Sequence, residues 1–436
     1  MNFSKTTIFS LSIILLSFTV NGCKTAKDTL PEAPEATQEK QQKTLIPEEI
    51  HEKVLTVDTH IDWPYRQILY PDFNPNIRHQ PRKLDSGQWD IVRMQEGGLD
   101  AVFMSIFTPQ KKRNNQGHAQ AKAKAIKMIE ITKEMAESNS AKVEIALNPE
   151  DAYRLEKNGK KAIFMGMENG YPIGKDISNV KLFYDQGIRY ITITHSKNNE
   201  LGDSSTDKKQ EWNGLSPLGE KVVKEMNRLG IMVDISHVHD DTFWDVIKLT
   251  KAPVIASHSS AKSLENHPRN MSDEMLKAVQ ENGGVVQVCI LDTYIKKLPQ
   301  TPEREKAMKT IEKDLIAFWQ GKLSQAQIKD FKEKYDQIND KYPKNKPTVA
   351  DVVDHIDYMV KIMGINHVGI GSDLDGGGGV AGMNDVSEMP NITKELVARG
   401  YTEEDIQKIW GGNLMRVFSK VQQVATEIQN QETSDK

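Results

Sequence analysis

Residues competent for metal chemistry recur along this chain at the ends of short apolar runs. In VDTHIDWP, His60 and Asp62 lie two positions apart, so on an extended segment both point to one side and can chelate a divalent cation. Asp58 shares that side and either orients a ligand or caps the turn. Glu168 closes the run AIFMGME before Asn-Gly. Alone it reads as a solvated turn carboxylate, but beside His60 and Asp62 its two oxygens can join two metals. His237 in VDISHVHD and His258 in VIASHSS close successive runs, and His239 is an alternative ligand on the same side, ranked below His237 because it stands farther from the strand. With only two cysteines, Cys23 and Cys289, a thiolate zinc site is excluded, and any metal rests on imidazole and carboxylate. That donor set suits zinc, and less well manganese, iron or cobalt. His237 with His258 would hold one ion and His60 with Asp62 the other, Glu168 lying between them. Two ions about 3.5–4 Å apart activate a bridging hydroxide and polarise a substrate carbonyl.

Such residues need a scaffold that brings distant strand ends together. Apolar or β-branched runs at 54–57, 101–107, 162–167, 189–194, 231–235, 253–256, 285–290 and 367–370 make eight strands. Helix-like segments at 218–230 and 271–284 separate some of them, with Asp203, Ser216 and Ser272 as turn or cap residues and Gly283-Gly284 as a stop. Alternation of this kind predicts an α/β fold, a (β/α)8 barrel of TIM type, whose C-terminal strand ends converge on one face. Asp58 to Asp62, Glu168, His195, His237, His258 and Asp373 all stand at or just past such ends. A doubly wound sheet is the alternative, because a count of strands does not show closure. Two connections are long, 63–99 and 291–366. The second contains EREKAMKTIEKDLIAFWQGKLSQAQIKDFKEKYDQINDKY, read as an inserted helical pair over the barrel. The run Gly376 to Gly379 lacks the lysine and the context of a phosphate loop and reads as a flexible turn at the site.

Composition sets the outer limits. With 38% apolar and 27% charged residues the chain is globular, and 436 residues allow two or three domains or one large barrel with insertions. A net charge of −4 gives no electrostatic reason to expect nucleic acid as a partner. The start, MNFSKTTIFSLSIILLSFTVNGCK, has a lysine before an apolar stretch too short to span a bilayer. Residues 1–22 read as a lipoprotein-type signal peptide, because Val20-Asn21-Gly22-Cys23 resembles a bacterial lipoprotein cleavage site that leaves Cys23 lipidated. Plain secretion is the alternative. Residues 23–46, rich in Lys, Glu, Gln and Pro, read as a flexible tether, and 47–436 as a single metallohydrolase barrel domain. The expected location is outside the cytoplasm, lipid-anchored to a bacterial envelope membrane, where the sequon Asn391-Ile392-Thr393 has no bearing.

Four long stretches carry a resemblance. GLSPLGEKVVKEMNRLGIMVDISHV, APVIASHSSAKSLENHPRNMSDEML, HIDYMVKIMGINHVGIGSDLDG and PNITKELVARGYTEEDIQKIWGGNLMRVF are similar to the membrane (renal) dipeptidases and their bacterial relatives, over about 54–418. The resemblance implies a zinc-dependent barrel hydrolase with two zinc ions per chain, other divalent metals being compatible. It places the first metal site on His60 and Asp62, the bridge on Glu168, and the second site on His237 and His258. It makes His195 the residue that binds substrate and polarises the scissile carbonyl, and Arg269 the grip on the free carboxylate. Asp373 becomes the catalytic carboxylate, taking a proton from the hydroxide between the metals and delivering it to the leaving amine. The implied partners are a dipeptide substrate and a membrane reached through the lipid, and a homodimer is compatible with the reading. One departure bears on specificity: where the family often has Gln-Phe-Trp-Ser, this chain has Val102-Phe103-Met104-Ser105. The rival readings are another binuclear metal hydrolase, such as an N-acyl amino-acid amidase or lactonase, and a binding lipoprotein without catalysis.

Overall fold

In the computed structural model, residues 46–80 and 83–435 are described. The signal-like segment, Cys23 and all but the last residue of the tether fall outside them. Among the described residues nine strands form one parallel sheet: β1 Val57–Ile61, β2 Ala101–Ser105, β3 Val143–Ile145, β4 Lys161–Met167, β5 Ile188–Thr192, β6 Met232–Asp234, β7 Ile255–Ser259, β8 Val285–Cys289 and β9 Val368–Gly371. Eight of them run in the order β1-β2-β4-β5-β6-β7-β8-β9. Hydrogen bonds just beyond β9 close the ring: Asp373 N–H donates to His60 O at 3.0 Å and Asp62 N–H to Leu374 O at 2.9 Å. Closure excludes the doubly wound alternative.

Buried parallel strands are apolar on both faces, and here β1, β2, β5, β7 and β8 are buried throughout. The barrel interior pairs tall side chains with glycines. A Cβ on Gly166 would sit 2.0 Å from the Tyr190 ring, and one on Gly369 would sit 1.8 Å from Gln287 Oε1. At the opposite end from the site, Leu414, Phe418 and Val421 of the helix Asn413–Ser434 pack with Val57, Ala101 and Val285 at the starts of the strands. Helix ends follow local chemistry. Ser216 and Ser272 cap Pro217–Leu229 and Asp273–Asn282, and Gly230 and Gly283 end those helices at φ +80°.

Three sequence expectations shift. The first strand is Val57–Ile61 rather than 54–57, so Asp58, Thr59 and His60 lie inside it. The seventh likewise contains His258. Polar residues are tolerated in these strands because their side chains emerge at the barrel mouth, where other polar groups receive them. Val143–Ile145 is an additional strand. It pairs with the first half of β4, up to Ile163, and β5 pairs with the second half from Met165. Three residues are too short a run for alternation to show.

The connection at 291–366 contains the helices Pro302–Trp319 and Gln325–Lys341, packed through Phe318 and Phe331 with ring centres 5.1 Å apart. It also contains Val349–Met363, the regular barrel helix before β9. No helix among the described residues is long and apolar enough to cross a membrane.

Candidate active site

Glu168 follows β4 directly, and the left-handed Asn169 (φ +79°) turns the chain away behind it. Its Oε1 lies 3.0 Å from His237 Nε2 and 3.5 Å from the Nε2 atoms of His258 and His195. Its Oε2 lies 3.5 Å from His60 Nε2, which in turn is 3.5 Å from Asp62 Oδ2. Asp373 joins His60 and Asp62 in a third compact group of donor atoms. All five ligands expected from the sequence therefore meet, together with His195 and Asp373. The groups overlap more than the expected pairing, since His258 also stands with His60, their ring centres 3.9 Å apart.

The donors fit a divalent cation. His60 Nε2 and Asp62 Oδ1 are buried without a hydrogen-bond partner among the described residues, although buried polar atoms are rarely left so. His237 Nε2 and His258 Nε2 approach to 2.9 Å, so two ring nitrogens converge on one region. The opposite nitrogens show how the rings are oriented. Tyr190 Oη donates to Thr59 O at 3.2 Å and so accepts from His60 Nδ1 at 2.9 Å. Ser257 Oγ donates to Asp234 Oδ2 at 2.7 Å and accepts from His258 Nδ1 at 2.8 Å. Each arrangement puts the proton on Nδ1 and leaves the Nε2 lone pair facing the cluster, as metal-ligating imidazoles require. With imidazole and carboxylate donors only, the set suits zinc.

Electrostatics separate the members. Burial pushes the Glu168 carboxyl up, but the neighbouring His195 and His60, with His237 and His258 beside it, outweigh burial and hold it well below the usual range. Burial drives the Asp373 carboxyl well above that range, and the adjacent Asp62 and Glu168 add to the rise. Burial likewise depresses His237 and His258 far below an ordinary histidine, with Arg269 reinforcing the effect. For His60 burial acts downward, yet Tyr190, Glu168 and Asp62 together raise it. His195 is lowered by burial.

Arg269 is 3% exposed beside this cluster. Its Nη2 donates to His258 O at 2.9 Å, its guanidinium stands 5.4 Å from the centre of the Tyr294 ring, and its Nε has no partner. Nothing in HPRNMSD taken alone distinguishes it from a surface charge.

The structure decides several alternatives. His239 caps the helix Asp240–Leu249 by accepting from Asp241 N–H, and it stands outside the cluster. Asp58 hydrogen-bonds no imidazole among the described residues. It accepts from the backbone N–H groups of His60 and Ser372, and burial raises its carboxyl to about 6. The glycine run is no loose turn. A Cβ on Gly376 would fall 2.2 Å from Asp62 Oδ2 and 2.3 Å from Asp373 Oδ1, so only glycine lets the chain pass these two carboxylates. Gly378 N–H also donates to Asp373 O at 2.7 Å.

Tyr190, Ser257 and Asp234 escaped the sequence reading. Asp234 offered a signal, a carboxylate in the middle of the apolar run IMVDIS. It is fully buried and accepts from Thr192 Oγ1 and Ser257 Oγ and from the N–H groups of Ser236 and Ser257.

The family model for membrane dipeptidases, peptidase family M19, matches residues 47–432. Dipeptidase tcpJ of Claviceps purpurea is 32% identical over 373 residues, covering 84% of this chain and 77% of that protein. A Schizosaccharomyces pombe protein named as an uncharacterized dipeptidase is 31% identical over 391 residues, with 87% and 82% covered. Among solved structures, the probable dipeptidase PvdM of Pseudomonas aeruginosa superposes with a TM-score of 0.71 at 31% identity, covering 87% of this chain and 98% of that one.

Proposed function

This chain belongs to the membrane dipeptidase family, peptidase family M19, and is a metal-dependent dipeptidase; from that premise we propose how its own residues divide the work. His60, Asp62, Glu168, His237 and His258 would hold two zinc ions, which supply Lewis acidity toward the scissile carbonyl and toward water. Arg269, buried with a free Nε, pairs with the substrate's C-terminal carboxylate and so favours dipeptides over longer chains. His195, whose proton affinity is lowered chiefly by desolvation, donates from Nε2 to the carbonyl oxygen as negative charge develops there. Asp373 accepts the proton of the attacking water and passes it to the nitrogen of the leaving amine. Its raised affinity for protons suits the first half of that task, the uptake of the proton.

One observation carries this reading: a single buried carboxylate, Glu168, is approached by four imidazoles, with an arginine lacking a partner at Nε close by. Metal content by mass spectrometry, paired with hydrolysis of a dipeptide panel before and after chelation, tests it. Two zinc per chain and cleavage lost on chelation are expected. One metal or none after zinc supplementation, without cleavage, would overturn it, and activity confined to N-acyl amino acids or lactones would redirect it.

The reading extends to location. Residues 1–22 direct export, and lipid on Cys23 anchors the barrel to a bacterial envelope membrane through the tether 23–46; the signal-like sequence is the support. Cys23→Ser should move the protein from the membrane to the soluble fraction, and an unchanged distribution would remove the anchor.

A further inference from the structure

On the Arg269 side of the site, two segments distant in sequence meet on one imidazole that belongs to neither. His355, in the helix Val349–Met363, is 1% exposed. Its Nδ1 lies 3.1 Å from the Ala261 N–H, and because a backbone N–H only donates, Nδ1 must accept. The ring proton is therefore on Nε2, which donates to the Ile295 carbonyl at 2.8 Å. Burial lowers the proton affinity of this ring, and the neutral form alone makes both bonds.

Both partners lead to the proposed carboxylate grip. Ala261 opens the segment that carries Arg269 and pairs with Met271 at its far end, where Lys262 N–H donates to Met271 O at 2.9 Å. Ile295 ends the short helix Asp292–Ile295, whose Tyr294 ring faces the Arg269 guanidinium. A second tie runs parallel: Asn270 Nδ2 donates to Tyr294 O at 2.8 Å and to Glu265 O at 2.9 Å. Among the described residues the Arg269 guanidinium bonds only to β7, through His258 O and, at 3.5 Å, Ser259 Oγ, while its backbone N–H donates to His267 Nδ1 within its own segment. The lateral placement of its guanidinium thus depends on how its own segment and Tyr294 are held together.

We propose that His355 is a positioning residue for substrate binding: it locks the Arg269 segment against the Tyr294 helix, so that the guanidinium is set for the carboxylate before the substrate arrives. The proposal rests on the reading of Arg269 as the carboxylate grip. A double-mutant cycle on the zinc-loaded enzyme tests it, with dipeptide kinetics and zinc content measured for His355→Ala, Arg269→Ala and the pair. His355→Ala should raise KM about tenfold, with kcat within about twofold and zinc per chain unchanged. In the Arg269→Ala background the same substitution should change KM by less than about twofold. His355→Asn keeps an acceptor near the Ala261 N–H and should recover part of the loss; it also serves if the alanine variant does not fold. An equal KM rise in both backgrounds, or parallel loss of kcat and zinc, would overturn the role of His355 while leaving that of Arg269 intact. Wild-type kinetics in Arg269→Ala alone would remove the grip, and the proposal with it.

Discussion

The two oxygens of Glu168 look toward halves of the site that are built by different means. On one side His60 and Asp62 come from a single strand end, and a neutral phenol, Tyr190, receives the His60 Nδ1 proton. On the other side His237 and His258 come from successive strand ends. There the proton of His258 is received by Ser257, which is bound to the buried carboxylate of Asp234. His237 sits at φ +70° with Nδ1 unpartnered among the described residues, a strained and unbraced imidazole beside a braced one. The donors of the first half are neighbours in the chain, while those of the second stand where β5, β6 and β7 share the carboxylate of Asp234. An anionic partner behind an imidazole raises its basicity as a ligand more than a neutral one does. The two halves should therefore respond differently to perturbation.

Removing the shared member is the largest break. Glu168→Gln should lower kcat/KM by roughly three orders of magnitude, equivalent to ~4 kcal/mol, and reduce metal content at both halves. Retention of two zinc and near-normal turnover would deny Glu168 its place between them. Asp234→Asn should weaken metal binding by about 10- to 100-fold at the His258 half alone, so that chelator competition shows one tight and one weakened equivalent. Tyr190→Phe keeps the ring that fills the space over Gly166 and should cost about tenfold at the His60 half, with Tm little changed. Equal weakening of both equivalents in either variant would erase the distinction between the halves.

Acid should separate the halves as well. A cation competes with protons for imidazole, and His60 has a raised proton affinity whereas His237 and His258 have depressed ones. As pH falls, the equivalent at the His60 half should leave first, its affinity dropping about tenfold per pH unit below the pKa of His60. Equilibrium dialysis across a pH series checks the order, and the equivalent lost first should be the one weakened in Tyr190→Phe. In protein stripped by chelation the linkage signs are opposite. The contribution of His60 is present at low pH and lost as pH rises through its raised value. That of His237 and His258 is lost as pH falls below about 6.5, where the unfolded chain takes up protons first. The smallest effect belongs to His239→Ala, which should cost ~1 kcal/mol of stability as a lost helix cap and leave metal content and turnover unchanged.

Legibility in the sequence followed the range of the interaction. His60 and Asp62 could be paired from their closeness in sequence at one strand end, although Asp62 itself stands just past the strand, at the start of the helix Trp63–Leu69. The choice between His237 and His239 could not be made that way, since both lie on the same side, and only closeness to the strand favoured His237. It was settled by the start of a helix, where the His239 ring turns back to accept a backbone N–H. The first strand was displaced by three residues because Val54 and Leu55 extend the apolar run, although they precede the sheet and pack into the core. Arg269 became visible only through resemblance, because burial of a guanidinium leaves no mark on its neighbours in sequence.

What the sequence by itself determined was the donor chemistry and the periodicity: imidazole and carboxylate without thiolate, at the ends of runs that alternate with helices. These are properties of residue type and short spacing. Closure of the barrel, the orientation of each ring through Tyr190 and Ser257, and the tight passage of Gly376 past two carboxylates were decided only by tertiary structure. Each of these joins groups brought together from separate strands and loops. A hydrogen bond or a steric contact acts over a few ångströms, so it exists only after the chain has folded those groups together.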